Sequence, residues 1–146
     1  METQLKTFSE LSTRELYELL KLRSEVFVVE QDCVYLDIDG KDEKALHIMG
    51  NLNGSIIAYT RVFKAGDYFK EISIGRVVVK DTARKGGYGK LIMQETIAAI
   101  YKRFGTRPIL LSAQVYLLDF YKDLGFVSEG EEYLEDGIPH ITMIKK

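Results

Sequence analysis

Cysteine is nearly absent from this 146-residue chain: Cys33 stands alone. No internal disulfide can form, and a reducing, cytoplasmic setting is the expectation. Proline is almost as scarce, with Pro108 and Pro139 only, so no Pro-rich linker divides the chain. No apolar run approaches the ~20 residues of a membrane span, and the opening METQLKTF carries no apolar block of the kind a signal peptide has. An excess of charge is lacking too. The formal net charge of −2 gives no electrostatic pull toward nucleic acid or an anionic membrane, so neither is an expected partner. What is present is 46% hydrophobic and 29% charged residues, the balance of a soluble globular protein. The length suits a single domain over residues 1–146, as a monomer or homodimer.

Local patterns divide the chain into ten elements. Residues 3–8 read as a strand. Ser12 and Glu15 have the spacing of a capping box, with Leu11 and Leu16 at the staple positions around it. Leu16, Leu19, Leu20, Arg23 and Phe27 then share one face of a helix over 13–28. Residues 30–44 are acidic and irregular. Strands over 45–52 and 55–64 flank Asn53-Gly54, a two-residue hairpin signal. The β-branched run 71–80 reads as a central strand. A second helix follows, marked by Met93, Ile97, Ile100 and Phe104 and stopped by Gly105 and Pro108. Residues 108–113 form a short buried strand. A third helix carries Leu117, Phe120 and Leu124 up to Gly125, and strands over 126–134 and 138–145 close the chain. The β-α-β unit in the middle requires a mixed sheet, parallel in part.

The segment RVVVKDTARKGGYGK, Arg76 to Lys90, carries the most chemistry. A strand feeds a glycine-rich turn that opens a helix, and a helix start offers unpaired amides and a positive dipole end. Such a turn holds anions, phosphate above all. Arg84, Lys85 and Lys90 add charge at the same place. The spacing excludes a P-loop, because Lys90 is followed by Leu91 rather than Ser or Thr. It also excludes the dinucleotide fingerprint, because Gly86-Gly87-Tyr88-Gly89 is not G-x-G-x-x-G.

The turn resembles the acyl-CoA loop [RQ]-x-x-G-x-[GA] of the GNAT superfamily of N-acetyltransferases, met by Arg84, Gly87 and Gly89. A second block, FYKDLGF from Phe120 to Phe126, is similar to that family's FYxxxGF signature, 31 residues after Gly89. The pieces VFVVEQ, DIDGKDEKALH and DGIPHI resemble its ElaA-like branch. The resemblance implies an α/β (α+β) fold of three layers, with helices flanking a mixed central sheet. It also implies transfer of an acetyl group from acetyl-CoA to a primary amine, small-molecule or protein, without a metal. The resemblance places the CoA pyrophosphate on the amides of Arg84, Lys85, Gly86, Gly87, Tyr88, Gly89 and Lys90. The pantetheine arm falls along Val77, Val78 and Val79, with Gln114 bonding it near the thiol. Tyr121 takes the position of the tyrosine that protonates, or hydrogen-bonds, the departing thiolate. An acyl-CoA-binding module without catalysis is the alternative, and a nucleotide-binding domain of another kind fits the spacing less well.

The general base is less defined. A family glutamate would fall on Ser73, eleven residues before Arg84, which leaves Glu71, two residues earlier on that strand face, as the candidate. Glu30 and His140 are candidates on the acceptor side, and His47 reads as a structural strand residue. Six acidic residues between Glu30 and Glu43 border the expected acceptor site and suggest a cationic amine. Cys33 has no partner for a Cys-His nucleophile.

Overall fold

The computed structural model describes all 146 residues, and the ten elements follow one another as expected. They are β1 (Glu2–Thr7), α1 (Thr13–Arg23), β2 (Leu46–Leu52), β3 (Ser55–Phe63), β4 (Ile72–Val79), α2 (Tyr88–Phe104), β5 (Ile109–Gln114), α3 (Leu118–Lys122), β6 (Val127–Glu135) and β7 (Ile138–Lys145). The capping box holds: the Glu15 amide donates to Ser12 Oγ at 3.0 Å and the Ser12 amide to Glu15 at 2.9 Å. The two hairpin turns, Asn53-Gly54 and Asp136-Gly137, have φ of 52°, 81°, 52° and 77°, the pair of positive values a type I′ turn requires.

Seven strands form one sheet in the order β1-β2-β3-β4-β5-β7-β6, with β4–β5 the parallel pair. One face carries α1, whose Leu19 and Leu22, with Val26 just beyond its end, pack on Met49, Ile56, Tyr59 and Val78. On the other face α2 buries Ile92, Met93, Ile97 and Ile100 against Ile48, Val62, Ile74 and Leu111. Each such fully buried aliphatic side chain contributes about 1.5–3 kcal/mol, and the result is a three-layer molecule. No helix is long and apolar enough to cross a membrane.

The central pair is where the sheet stops being regular. β4 and β5 pair only through Ile72–Ile109, Ser73–Leu110 and Ile74–Leu111. Beyond that point β4 stays with β3, as far as Val79–Ala58, while β5 follows β7 to Gln114–His140, and a cleft opens between them. A bulge in β4 accompanies the parting: Arg76 has φ of 50°, and the register with β3 shifts between Tyr59 and Arg61. An extra residue reverses the in-out alternation of a strand. Accordingly Ile74 and, three residues on, Val77 both pack toward the α2 side, while Val78 joins the α1 side.

The acidic segment after α1 does not stay in solvent. Asp37 and Asp42 are buried and face arginines. Arg23 Nε donates to Asp37 at 2.9 Å and its Nη1 to Asp42 at 2.7 Å. Arg61 donates to Asp39 at 2.8 Å and to Asp42 at 3.0 Å, and Arg76 lies 2.8 Å from Asp37. Burial favours a neutral Asp39, but the hydrogen bonds from Arg61 and the Lys41 amide, with the charges of Arg61 and Arg76, hold its carboxyl at about 2. His47 closes the network as a structural residue. Its Nε2–H donates to the Asp42 carbonyl at 2.9 Å while Nδ1 accepts from the Tyr59 hydroxyl at 2.6 Å, and burial lowers its pKa.

Candidate active site

The cleft between β4 and β5 continues into a cavity of about 580 Å³, and Val77, Val79, Gly89, Gln114, Tyr121 and His140 are on its wall. At one end the turn after β4 winds as a 3₁₀ helix over Asp81–Gly86 and reaches Gly87, with φ of 77°, before α2 starts. The first internal bond of α2 runs from the Leu91 amide to the Gly87 carbonyl at 3.2 Å, and no side chain caps this end. The amides of Tyr88, Gly89 and Lys90 are therefore free of the helix ladder at the positive end of a 17-residue helix. Gly86 has a packing reason to be glycine, since a Cβ there would come within 2.5 Å of the Tyr88 ring.

Along the cleft, alternation decides which backbone groups face the gap. The Lys80 amide donates to the Ile57 carbonyl at 2.8 Å, so the Val79 carbonyl, on the opposite side of that peptide, points into the cleft. The polar groups of Val77 and the amide of Val79 are thus open to an added strand, the Val79 carbonyl being taken by Arg84 Nε at 3.2 Å, while those of Val78 point at β3. An open strand edge leading to free helix amides suits an extended, amide-bearing ligand with an anionic end.

Tyr121, on α3, is 6% exposed and on the cavity wall. Its pKa is pushed well up by burial and by neighbouring Tyr116, with no hydrogen bond contributing. Phe120 and Phe126 meet its ring edge-on at 5.1 and 6.2 Å. The phenol is fixed in place, keeps its proton and has its hydroxyl free for a ligand.

Helix α1 is shorter than the sequence suggests. Its last part, Ser24–Glu30, is a π-helical turn, with bonds from the Gln31 amide to Val26 and from the Cys33 amide to Val28, both 3.1 Å. This wider turn swings Phe27, Glu30 and Gln31 to the cavity. Gln31 accepts from Gln114 at 3.5 Å across the cleft.

Of the residues singled out in the sequence, Val77–Val79, Arg84, Gly87, Gly89, Lys90, Gln114, Tyr121, Glu30 and His140 meet at this cavity, whereas the side of the turn at Lys85 and Gly86 is exposed to solvent and neither they nor Tyr88 line it. Glu71 does not line this cavity. It precedes β4, three residues before Ile74, the first β4 residue on the wall, hence about 10 Å down the strand. Of the acidic segment, Asp37, Asp39 and Asp42 are paired with Arg23, Arg61 and Arg76 and leave little free charge toward an acceptor, while Asp32 stays exposed. Glu30 reaches the cavity, but its carboxylate is gripped by both Nη atoms of Arg84, one at 2.8 Å, and Arg84 Nε donates to the Val79 carbonyl at 3.2 Å. Arg76, Tyr35, Ser112 and Glu135 also line the site and were missed. An arginine inside the β-branched run 72–79 was the signal for the first of them.

A family model for the acetyltransferase (GNAT) domain matches residues 5–146. Protein ElaA of Escherichia coli (strain K12) is 43% identical over 140 residues, covering 94% of this chain and 92% of its own. The crystal structure of an acyl-CoA N-acyltransferase from Pseudomonas aeruginosa superposes with a TM-score of 0.94 at 39% identity, covering all of both chains. An aminoglycoside 6'-N-acetyltransferase complexed with coenzyme A shares the fold, at a TM-score of 0.73 and 13% identity, over 97% of this chain and 96% of its own. The chain belongs to the GNAT acetyltransferase family, whose members are acyl-CoA-dependent acyltransferases.

Proposed function

We propose that this protein is an amine N-acetyltransferase that passes an acetyl group from acetyl-CoA directly to a primary amine held in the same cavity. The observation that carries the reading is the Tyr121 hydroxyl, unpartnered and protonated at the place where the sheet parts. The amides of Tyr88, Gly89 and Lys90, with the Lys90 side chain, would take the pyrophosphate, and Val77 and Val79 would pair with the pantetheine arm as an added strand. A cleft amide of β4 would polarise the thioester carbonyl as negative charge builds on its oxygen. The amine nitrogen attacks the carbonyl carbon, the C–N bond forms, and the C–S bond breaks as Tyr121 gives its proton to sulfur. Phenol and thiol titrate at about 10 and 8.5 in water, and burial moves Tyr121 further from ionising, so the donor is in the right state throughout the physiological range. Holding amine and thioester together supplies much of the acceleration, without a covalent enzyme intermediate.

The test is a set of amines of different charge, among them 2-phenylethylamine, putrescine and a dipeptide with a free amino terminus. Each is incubated with acetyl-CoA, with thiol release followed by a colorimetric reagent and the product checked by mass. Amine-dependent thiol release with an N-acetylated product is expected. Thiol release that ignores every amine would refute the reading.

A further inference from the structure

Three side chains beyond Tyr121 are organised around His140, on the acceptor side of the cavity. His140 is 6% exposed and on the cavity wall. Its Nδ1 lies 2.7 Å from the Ile138 carbonyl, and a carbonyl only accepts, so Nδ1 carries a hydrogen. Nε2 is then the basic nitrogen, 3.3 Å from the Glu135 carboxylate, which also only accepts. No hydrogen bond joins Nε2 to that carboxylate, so the Nε2 lone pair is free to take a proton, and Glu135 is near enough to offset the charge that results. Tyr133 lies over the ring at 6.1 Å and 24°, and a hydrogen bond joins its hydroxyl to that of Ser112, so the imidazole has a fixed roof. The titratable groups packed on His140 are Glu135 and Tyr133 of β6. Further charged or titratable groups on the cavity wall are Glu30, Cys33, Arg76 and, in the turn beside Glu135, Asp136, with Glu30 and Arg76 already paired and Cys33 Sγ donating to the Asp136 carbonyl at 3.4 Å.

The geometry points to His140, positioned by Ile138 and Glu135, as the proton acceptor for the attacking amine. This rests on the acyl-transfer reading above. An alkylammonium keeps its proton up to about pH 10, whereas an imidazole takes one up near 6.5. Transfer of the ammonium proton to Nε2 is uphill on those values, and Glu135, by neutralising the imidazolium, lowers the cost of reaching the free amine. The amine then attacks, Tyr121 protonates the departing sulfur, and the nitrogen's second proton returns to Tyr121 through water. The His140 proton goes to solvent, so one proton is released per amide formed.

The experiment measures kcat/KM for acetyl-CoA and 2-phenylethylamine from pH 6 to 10 in the wild type and in His140→Gln, whose amide can still donate to Ile138. The wild-type value should rise with pH and flatten well before the ammonium range. In His140→Gln it should be 10²–10⁴-fold lower near pH 7 and keep rising about tenfold per pH unit toward the ammonium pKa, so that the two curves converge. His140→Ala should recover rate when imidazole is added. A uniform drop with an unchanged profile, or no drop, overturns the inference. If either histidine variant fails to fold, as seen by loss of the acetyl-CoA thermal shift, Glu135→Gln replaces it. Its kcat at pH 7 should fall severalfold with KM kept, and an unchanged kcat overturns the inference. A wild type that acetylates none of the amines fails the acyl-transfer reading first, a result distinct from these, and takes this inference with it.

Discussion

Replacing Tyr121 with Phe removes one oxygen and leaves the ring between Phe120 and Phe126. No protein group bonds to that hydroxyl, so its removal strands no buried donor or acceptor, the usual source of a large stability loss. The change in folding stability should stay within about 0.5 kcal/mol, as for substitutions outside the costly classes. Acetyl-CoA affinity should also be kept, because the hydroxyl matters only when negative charge reaches the sulfur. The catalytic cost is of another order. A well-placed acid contributes 10²–10⁴-fold, or about 2.7–5.4 kcal/mol of barrier, and kcat and kcat/KM should fall together by that factor. Steady-state thiol release measures the rate, and the thermal shift with acetyl-CoA measures binding. A variant within threefold of the wild type would show that the phenol is packing and that water protonates the thiolate.

Other outcomes follow from the same geometry. Glu30→Gln should release Arg84 toward the phosphates and tighten acetyl-CoA binding, within about fivefold because the pair is partly exposed and such pairs are worth up to ~1 kcal/mol; isothermal titration showing weaker binding would contradict this. Gly89→Ala should leave thermal stability unchanged or raised, since its Cβ would meet Phe120 and Val79 at 3.6–3.7 Å and Ala favours a helix by about 1 kcal/mol. The added methyl stands before the free amides, so the acetyl-CoA thermal shift should shrink, and an undiminished shift would move the phosphate elsewhere. Acid should unfold the protein in two stages. His47 has a lowered pKa, so its contribution is full above about 6.5 and declines as pH falls below that value. Asp39, held at about 2 against its ordinary 3.8, contributes on the order of 2 kcal/mol above pH 4, lost as pH approaches 2. Asp39→Asn should flatten the Tm-against-pH curve between 4 and 2, and a curve still parallel to wild type would remove Asp39 from the account.

The elements were legible in the sequence because each had a local cause: the Ser12–Glu15 box, the Asn53-Gly54 turn, the run from Ile72 to Val79, and Gly105 at the end of α2. The anion-binding turn was legible for the same reason, since its glycines and basic residues lie side by side in the chain. What was not legible depends on contacts between distant segments. The π-helical turn at Ser24–Glu30 has no composition of its own. The bulge at Arg76 places a non-glycine residue at φ of 50°, which no local rule suggests. The acidic segment misled because each paired aspartate's partner lies elsewhere: Asp42 is 19 residues from both Arg23 and Arg61, and Asp39 is 22 from Arg61. Glu71 misled because counting along β4 says nothing of where the sheet parts.

These misreadings share one location, and the buried charges explain why. A residue such as Arg76 in the left-handed region costs about 1–2 kcal/mol and persists only if its surroundings hold it. Its side chain is held by Asp37 and Asp39. Those two are fixed in turn by Arg23 from α1 and Arg61 from β3, and Asp42 ties both arginines together. A cluster of this kind contributes little net stability, because an apolar replacement of similar volume is often as stable or more so. What it provides here is position. The bulge displaces the end of β4, and that displacement separates it from β5 and turns the Val77 polar groups and the Val79 amide toward empty space rather than a neighbouring strand. An ordinary hydrophobic core would allow β4 to slide back by one residue and close the cleft. Three arginines bonded to three aspartates at fixed distances do not.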